Sequence, residues 1–522
     1  MADLRRAHNF KIGADYFINK KNTVGVMVNG IISDPTSVTY SKTYISNTSS
    51  GIIDRLLVAG NNNKMKRHNA NINLNYNYTN PKGKNLVVNA DHGSYDFNSD
   101  QLQQNHYYDP SEQLKLNSVI YHILSPAQIS INSIKTDYEQ NFLKGKLGIG
   151  IKSAIIKTDN DFERYNVYGS IENLDMDRSN HFIYKENINA GYLNYNRQFK
   201  TLMIQVGLRV ENTISEGLTN ALKYNGINYV DNSSSFKKSY TDLFPSASIT
   251  CTKNPMKQWS LSYSRRIDRP AYQDLNPFEF KLDEYTYMKG NIDLKPQYTN
   301  SFGITHTYKY KLNISLNYSH VKDMFTQILD TTEKSKAFLS KKNLATQDIT
   351  SLSVSYPFQY KSYSLFTNIS SNYSKYKADF GEGRKVDLNA FGFTFFAQNS
   401  FRFAKTWTAE LSGFYNAPTI YMGNFKGRSI YNVDAGLSKQ IMKGNATVKA
   451  SVADIFYSQK FRASSDFAGQ TMKMTYRSES RQFRINFNYR FGNNKVKVAR
   501  QRSGGAEEEL KRAQQNNGIM GN

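Results

Sequence analysis

The sequence contains little of what most soluble domains and helical membrane proteins rely on. Cys251 is the single cysteine among 522 residues, which excludes an intramolecular disulfide and a cysteine-based metal cluster. No stretch approaches eighteen consecutive apolar residues, so a transmembrane helix is excluded. Membrane-spanning strands are not excluded, because their hydropathy signal is much weaker. The first ten residues, MADLRRAHNF, also lack the apolar core of a secretory signal peptide.

Recognisable patterns for catalysis and for phosphate binding are missing as well. The eight histidines are dispersed, and no HExxH, Ser-His-Asp, Cys-His or phosphate-loop arrangement occurs. We therefore predict no catalytic residue, no metal site and no cofactor, and we expect that the protein is not an enzyme. A less favoured alternative is an outer-membrane enzyme with a pair of carboxylates or histidines at a barrel mouth.

The charge balance is strongly basic, with a formal net charge of +24. A basic chain with interleaved tyrosines and lysines could form a stacking groove for single-stranded nucleic acid. However, the lysines and arginines are scattered along the whole chain without a dense basic block. Anionic lipid headgroups, or an acidic partner domain, explain the balance equally well, and we predict no nucleic-acid partner.

What the sequence does contain is apolar residues at every second position. In the segment RQFRINFNYRF, residues 481–491, the odd positions are aromatic or aliphatic and the even positions are polar or cationic. Successive side chains of a strand point to opposite faces, so this segment predicts a strand with one apolar and one polar face. The same alternation recurs at 10–18, 72–78, 134–151, 202–210, 259–263, 302–318, 407–415 and 431–437. One such strand fits a soluble sandwich equally well, but its repetition along the chain indicates a barrel.

Short and long connections alternate between these segments. Tight links are predicted near 19–22, 79–83, 143–145, 199–201, 253–257, 309–311, 358–361, 403–405 and 441–445. Longer polar stretches lie near 33–66, 98–130, 157–181, 215–236, 268–296, 329–346, 379–385, 417–428 and 458–471. Short turns at one end and long loops at the other are typical of outer-membrane barrels. The sequence therefore predicts an all-β fold, an antiparallel transmembrane β-barrel with about nineteen strands visible and strands mostly ten to eighteen residues long.

Aromatic residues gather beside the predicted tight links. Aromatic rings favour the headgroup level of a membrane, so these residues predict one interfacial girdle. The alternative is that aromatics are frequent in any strand. The girdle residues are Tyr78, Phe142, Phe199, Trp259, Tyr310, Phe403, Trp407 and Phe491, with Phe358 at a further link.

The region 259–298 carries a more specific signal. It contains SYSRRI at 262–267, Arg269-Pro270, DLNPF at 274–278 and GNIDLKP at 290–296, and the wall pattern closes with YRFG at 489–492. These motifs resemble the TonB-dependent outer-membrane receptors, most closely the "outer membrane protein β-barrel" family typical of Bacteroidetes. Ile292 and Gln297 depart from the proline and glutamate that the family usually has there. The resemblance covers about the whole chain up to residue 492.

The resemblance implies a 22-stranded barrel that is occluded by an N-terminal plug and imports a scarce nutrient with energy from the TonB complex. We expect residues 1–492 to form the barrel domain, N-terminally incomplete and without a plug. Contact with the TonB complex is then expected only through a plug domain missing here, while outer-membrane lipid is a direct partner. The imported ligand is left open. The alternative function is a passive porin-like barrel without a plug.

Candidate ligand contacts lie in the loop between the two strands of this motif. They are Arg266, Arg269, Tyr272, Asp274, Asp283, Tyr285 and Tyr287. The tyrosines offer rigid aromatic surface with a polar tip, which suits an amphiphilic or saccharide-like ligand. Packing within the loop itself is the alternative explanation for these residues.

The two ends of the chain complete the prediction. The charged segment 493–522 has low hydrophobicity, and we expect a disordered or briefly helical periplasmic extension. We interpret 472–491 as one long strand with a bulge near 478–480. Counted back from there, the first strand, 7–18, runs in the same direction as the last. Bacterial barrels have even strand numbers, so we expect at least one further strand, and three would complete twenty-two.

Overall fold

The structure is a computed structural model that describes residues 2–4, 6–46, 51–277, 279–281, 286–330, 337–379, 385–421, 425–467, 470–491 and 504–514. Nearly all of these residues lie in β-strands. Within these ranges, no helix is both long enough and apolar enough to cross a membrane.

Nineteen successive strands of the described chain form one continuous wall, in which each strand pairs antiparallel with the next. They are β1 (Ala7–Phe17), β2 (Asn22–Ser33), β3 (Ile53–Thr79), β4 (Asn85–Tyr108), β5 (Ala127–Phe142), β6 (Gly145–Tyr168), β7 (Asn180–Gln198), β8 (Leu202–Tyr224), β9 (Ser234–Cys251), β10 (Lys257–Asp268), β11 (Gln297–Tyr308), β12 (Leu312–Asp330), β13 (Ala337–Tyr360), β14 (Tyr363–Asp379), β15 (Lys385–Phe403), β16 (Trp407–Asn416), β17 (Ile430–Ile441), β18 (Ala446–Ala453) and β19 (Gln482–Tyr489). The predicted fold class is confirmed, and the nineteen wall strands agree with the number of strands that the sequence predicts to be visible.

Shorter elements lie before β1, after β19 and in the connections between the wall strands. The short strands are Ala2–Leu4, Thr36–Ser46, Lys115–Leu124, Ile171–Leu174, Tyr229–Asp231, Glu279–Lys281, Thr286–Lys289, Thr419–Tyr421, Phe425–Gly427, Lys460–Phe467 and Gln470–Arg477. The 3-10 helices are Met176–Arg178, Tyr272–Leu275 and Met442–Gly444, and the α-helix is α1 (Glu507–Gln514). Thr286–Lys289 pairs in parallel with the start of β13, unlike the wall strands.

The tight connections lie where the sequence predicts them, at one end of the wall. Between β5 and β6 only Leu143 and Lys144 stand outside the ladder, with φ of 46° and 59°. Positive φ at both central residues defines the hairpin turn whose twist matches that of the flanking strands. Ala404 and Lys405 repeat this conformation between β15 and β16, with φ of 46° and 58°. Non-glycine residues thus hold the left-handed conformation at this end.

At the opposite end, the strands are longer than predicted. β3 has 27 residues, and β4 and β6 have 24 each. At about 3.3 Å per residue and a tilt of about 40°, β3 spans on the order of 70 Å, far beyond a membrane's apolar band of about 25 Å. The predicted polar loops near 33–66 and 98–130 are therefore largely strand. Polar side chains on both faces do not interrupt a backbone ladder that continues into water.

The prediction of one strand over 472–491 is wrong. Gln470–Arg477 belongs to a separate four-stranded sheet, whereas β19 pairs with β18 in the wall. Asp454 fixes the chain between Gln470–Arg477 and β19, where it passes from one sheet to the other. Its carboxylate accepts hydrogen bonds from the Ser480 hydroxyl at 2.5 Å and from the backbone N–H of Ser458 at 2.8 Å. The break predicted near 478–480 is real, but it is a change of sheet and not a bulge.

The two faces of the wall have opposite character. On β3, Ile72 and Leu74 point outward and are 41% and 54% exposed, while their neighbours Asn71, Asn73 and Asn75 point inward and are 7%, 4% and 4% exposed. Large apolar side chains are exposed in this way on strand after strand. A soluble protein rarely exposes so much apolar surface, so this belt is the lipid-facing surface and the polar face lines a lumen.

The edges of the wall are β1 and β19. Each residue of β19 is exposed, as are all but one residue of β1. In the described part of the chain, no ladder joins these two strands.

Candidate functional site in the barrel lumen

The inner face of β5, β6 and β7 departs from the polar lining found on β3. Ile131, Ile156 and Phe182 point into the lumen and are fully buried there. They belong to an apolar cluster that also contains Tyr184 of β7 and Tyr95 of β4. Such side chains would be unfavourable against water, so this part of the lumen is covered by other segments of the chain.

The loop that carries the 259–298 motif is one of those segments. Tyr272, Leu275 and Leu294 are buried in the same cluster. Wall strands on both sides of the loop, β9 and β13, bind it. Lys238 of β9 donates to the backbone oxygens of Ile292 at 2.5 Å and of Leu294 at 3.2 Å. On β13, Lys341 donates to the Asp274 carboxylate at 2.8 Å.

Arg269 anchors the start of this loop through a buried ion pair. Its guanidinium donates to the carboxylate of Glu211 on β8, to the Thr213 hydroxyl at 2.9 Å and to the Tyr240 hydroxyl at 3.3 Å. Glu211 also accepts from Arg209 at 2.7 Å. Burial alone would lower the pKa of Arg269, but Tyr240 and Glu211 outweigh burial and raise the pKa above its usual value. The guanidinium therefore stays charged and its bonds stay fixed.

The second covering segment is α1. The sequence predicts a disordered or briefly helical periplasmic extension here, and a brief helix is present, but it lies against the lumen wall. Lys152 of β6 donates to both carboxylate oxygens of Glu509, at 2.8 and 2.9 Å. Arg512 donates to the Glu186 carboxylate of β7 at 2.5 Å. These charges are buried inside the lumen, so residues 504–514 lie within the barrel. Low hydrophobicity indicated a solvated tail, but pairing with charges on the wall offsets the cost of burying a polar helix there. The rest of the predicted extension, 493–503 and 515–522, is outside the described residues.

The predicted ligand contacts divide into three groups. Arg269, Tyr272 and Asp274 come together in the inward-folded loop, held by the contacts given above. Arg266 is exposed on β10, opposite Thr299 of β11, and is separate from that group. Asp283 and Tyr285 are outside the described residues, and Tyr287 is described only as backbone of Thr286–Lys289. A role in ligand binding stays a prediction for all seven.

The predicted girdle residues flank the tight connections. Trp259 stacks on His306 with ring centroids 4.2 Å apart, and Phe403 stacks on Trp407 at 6.3 Å. Outward or turn positions beside the same end hold the remaining members, Tyr78, Phe142, Phe199, Tyr310, Phe358 and Phe491. Their contact with lipid headgroups stays a prediction.

Several residues of the luminal site were not predicted. Lys152, Glu186 and Glu211 look like ordinary polar-face positions, because a single strand pattern does not reveal which charges are buried. The available signal was in the tail, where Ala506, Leu510 and Ala513 follow helical spacing at i, i+4 and i+7. That spacing indicates a helix with one apolar face, which packs against another surface.

The luminal site is built from ion pairs, hydrogen-bonding groups and aromatic rings. The described residues include no group of three or more histidine, cysteine, aspartate or glutamate side chains placed to hold a metal ion. The charged groups are paired with one another, so the arrangement holds the loop and α1 against the wall.

Comparisons with known proteins agree with this architecture. The model of the Outer membrane protein beta-barrel family matches residues 78–489. The ferric citrate transporter FecA matches with a TM-score of 0.56 and 10% identity, over 94% of this chain and 76% of that one. The ferric-catecholate import receptor Fiu of E. coli K12 matches with a TM-score of 0.55 and 9% identity, over 94% and 81%. The ferric yersiniabactin uptake receptor FyuA of Yersinia pestis gives 0.52 and 11%, over 94% and 80%. No curated protein sequence matches.

Proposed function

Because this chain belongs to the outer membrane protein beta-barrel family and therefore resides in the bacterial outer membrane, we propose that it is the barrel of a receptor that imports a nutrient. The observation that carries the proposal is the covered lumen. Arg269, at the start of the inward loop, and α1 are held inside the barrel by buried ion pairs.

The solved structures that resemble the chain support this proposal. FecA is described as a ferric citrate transporter, and Fiu and FyuA as import and uptake receptors. At 9–11% identity they support the architecture, and their iron-chelate ligands do not transfer to this chain. On this proposal the chain acts in transport and not as an enzyme, and energy reaches it from the TonB complex through a plug domain.

A passive porin is the alternative that the covered lumen disfavours. Buried Arg269 and Arg512 sit in the lumen as fixed, paired charges, whereas a porin keeps a water-filled channel. The loop that carries Tyr272 belongs to the same covering, so a ligand that enters from the long-loop end meets this loop.

The experiment compares a deletion strain with its complemented parent during growth on single limiting nutrients. We expect the deletion strain to lose growth on one nutrient class, and a protonophore to abolish uptake of that nutrient in the complemented strain. Purified barrel in a planar bilayer should show no steady conductance. Equal growth on every nutrient together with a stable open conductance would overturn the proposal in favour of a porin.

A further inference from the structure

The helix α1 presents one closely packed face to the lumen wall. Ala506 and Ala513 are fully buried, and Leu510 packs against the apolar cluster. Their spacing of i, i+4 and i+7 puts them on one side of the helix. The other side, with Glu507, Glu508 and Lys511, is exposed. Two alanines at the contact let the helix backbone approach the wall closely.

The wall and the inward loop together form a pocket for a guanidinium group. Arg512 donates to Glu186 at 2.5 and 3.4 Å and to the backbone oxygen of Pro270 at 3.2 and 3.3 Å. Its guanidinium carbon lies 4.2 Å from the centre of the Tyr272 ring. A carboxylate, a carbonyl and an aromatic face together match the planar, delocalised cation of arginine better than the compact ammonium of lysine.

A second pocket, three helix positions away, takes a carboxylate. Lys152 binds both oxygens of Glu509, and the two side chains are only 5% and 1% exposed. At the start of the segment, the backbone N–H of Gly505 donates to Asp91 of β4 at 2.8 Å. A side chain at Gly505 would place its Cβ 2.9 Å from that carboxylate, so the carboxylate, at the flexible end of the Asp91 side chain, has to shift slightly to admit one.

These contacts favour exchange over permanent attachment. α1 has eight residues, and a helix of that length is only marginally stable on its own. Buried ion pairs give little net stability, because each charge loses its hydration on burial. When the segment leaves, water can hydrate both the wall charges and the segment.

We propose that this wall is a binding site for a zwitterionic peptide with a carboxylate and a guanidinium one helical turn apart, and that residues 504–514 are its tethered occupant. A solute peptide and the tail then exclude each other. The role of the site in import rests on the proposed function, whereas occupancy by the tail does not.

Occupancy is tested by a disulfide in the full chain. In a Cys251→Ser background, Ser133→Cys on β5 and Gly505→Cys form the test pair, because the Ser133 hydroxyl lies 3.3 Å from the Cβ position of Gly505. We expect most of the protein to cross-link under mild oxidant. The matched control pairs Gly505→Cys with Ser353→Cys on β13, outside this wall, and should stay at background. Equal cross-linking of both pairs would overturn the proposal.

A charge exchange tests the guanidinium pocket. In the cross-linking background, Arg512→Glu should reduce the yield at least tenfold, and adding Glu186→Arg should restore it. The heat-modifiable mobility of the barrel on a gel checks that each variant is folded. A yield that stays low in the folded double variant would show that Glu186 and Arg512 do not recognise each other.

A synthetic peptide of residues 504–514 tests the ligand class. The full chain with Arg512→Glu, whose own tail is released, should bind the labelled peptide saturably and at least tenfold more tightly than the natural chain does. A peptide carrying the same Arg512→Glu change should not bind. Equal binding of both peptides would overturn the proposal. Since no step involves transport, a failed uptake experiment with successful peptide binding would reject the proposed function alone.

Discussion

The lumen faces of β5–β7 and of β18–β19 follow the same alternation but differ in what covers them. On β5–β7 the inward positions include Ile131, Ile156 and Phe182, all fully buried under residues 272–275, Leu294 and α1. On β19 the inward positions are Arg484, Asn486 and Asn488, and all are exposed. Alternation therefore identifies the two faces of a wall strand, whereas the residue types on the inner face identify whether water or protein lies against it.

The largest expected effect comes from truncating a covered inward side chain. Phe182→Ala should lower the free energy of unfolding by about 3–5 kcal/mol, because it removes a fully buried ring and leaves a cavity. Urea unfolding in detergent, followed by the heat-modifiable gel band, measures this change. Arg484→Ala on the open side is the matched control and should stay within about 0.5 kcal/mol. Equal losses would mean that the two lumen faces do not differ.

The next prediction separates the two faces of β19 itself. Ile485→Arg places a charge on the lipid-facing surface and should cost about 2–4 kcal/mol if the residue lies near the bilayer midplane. Asn486→Arg, one residue further along, faces the lumen and should be mild. Folding yields into lipid vesicles, measured at increasing urea concentration, give the change in folding free energy for both variants. Similar costs at the two positions would contradict the assigned facing.

A smaller effect is expected where the wall holds the inward loop. Lys238→Met removes the cation that binds the carbonyl oxygens of Ile292 and Leu294. Hydrogen bonds to a charged group contribute about 1.5–3 kcal/mol, and the partial exposure of Lys238 reduces this to about 1 kcal/mol. Limited proteolysis should cut the loop faster. Lys237→Met, the exposed neighbour paired with Glu216, should leave the cutting rate unchanged.

The smallest effect is a pH dependence at the rim of the covered side. His122 lies between Asp100 at 3.0 Å and Glu172 at 2.9 Å. Burial alone would lower the pKa of His122, but the hydrogen bonds that the ring donates to the two carboxylates outweigh burial and raise the pKa above its usual value. The protonated ring is the favoured form, so its stabilisation is complete below about pH 6.5 and is lost as the pH rises through the raised pKa.

Amide hydrogen exchange of residues 115–124 measures this effect. Exchange should be faster at pH 8 than at pH 6 after correction for the intrinsic rate. His122→Gln keeps a polar side chain but cannot titrate, so its corrected exchange should be the same at both values. If the natural chain also exchanges at the same corrected rate at pH 6 and pH 8, His122 is excluded as the cause.

The sequence predicts the wall well because each part of the wall is encoded locally. Alternation gives the strands and their two faces, and the short connections follow from adjacent strand ends, as at Leu143 and Lys144. The interior was not predicted, because it depends on pairs that are distant in sequence. Nothing near Glu186 indicates that Arg512 binds it, and nothing near Lys152 indicates Glu509. Of the candidate site, Arg269, Tyr272 and Asp274 were identified as ligand contacts, with packing within the loop as the alternative, but their partners on the wall strands were not predicted.

The sequence separation of the contacts made by residues 504–514 has a consequence for the time course of folding. The pairs Gly505–Asp91, Lys152–Glu509 and Glu186–Arg512 join positions 414, 357 and 326 residues apart. Contacts between such distant positions form slowly, because the loop-closure entropy is lost before the contacts form. The wall hairpins, by contrast, close over a few residues. During insertion into the membrane, the wall therefore forms first, and the inner surface of β5–β7 stays in contact with water until residues 504–514 dock on it. The buried cluster inside the barrel is the last part of the protein to form.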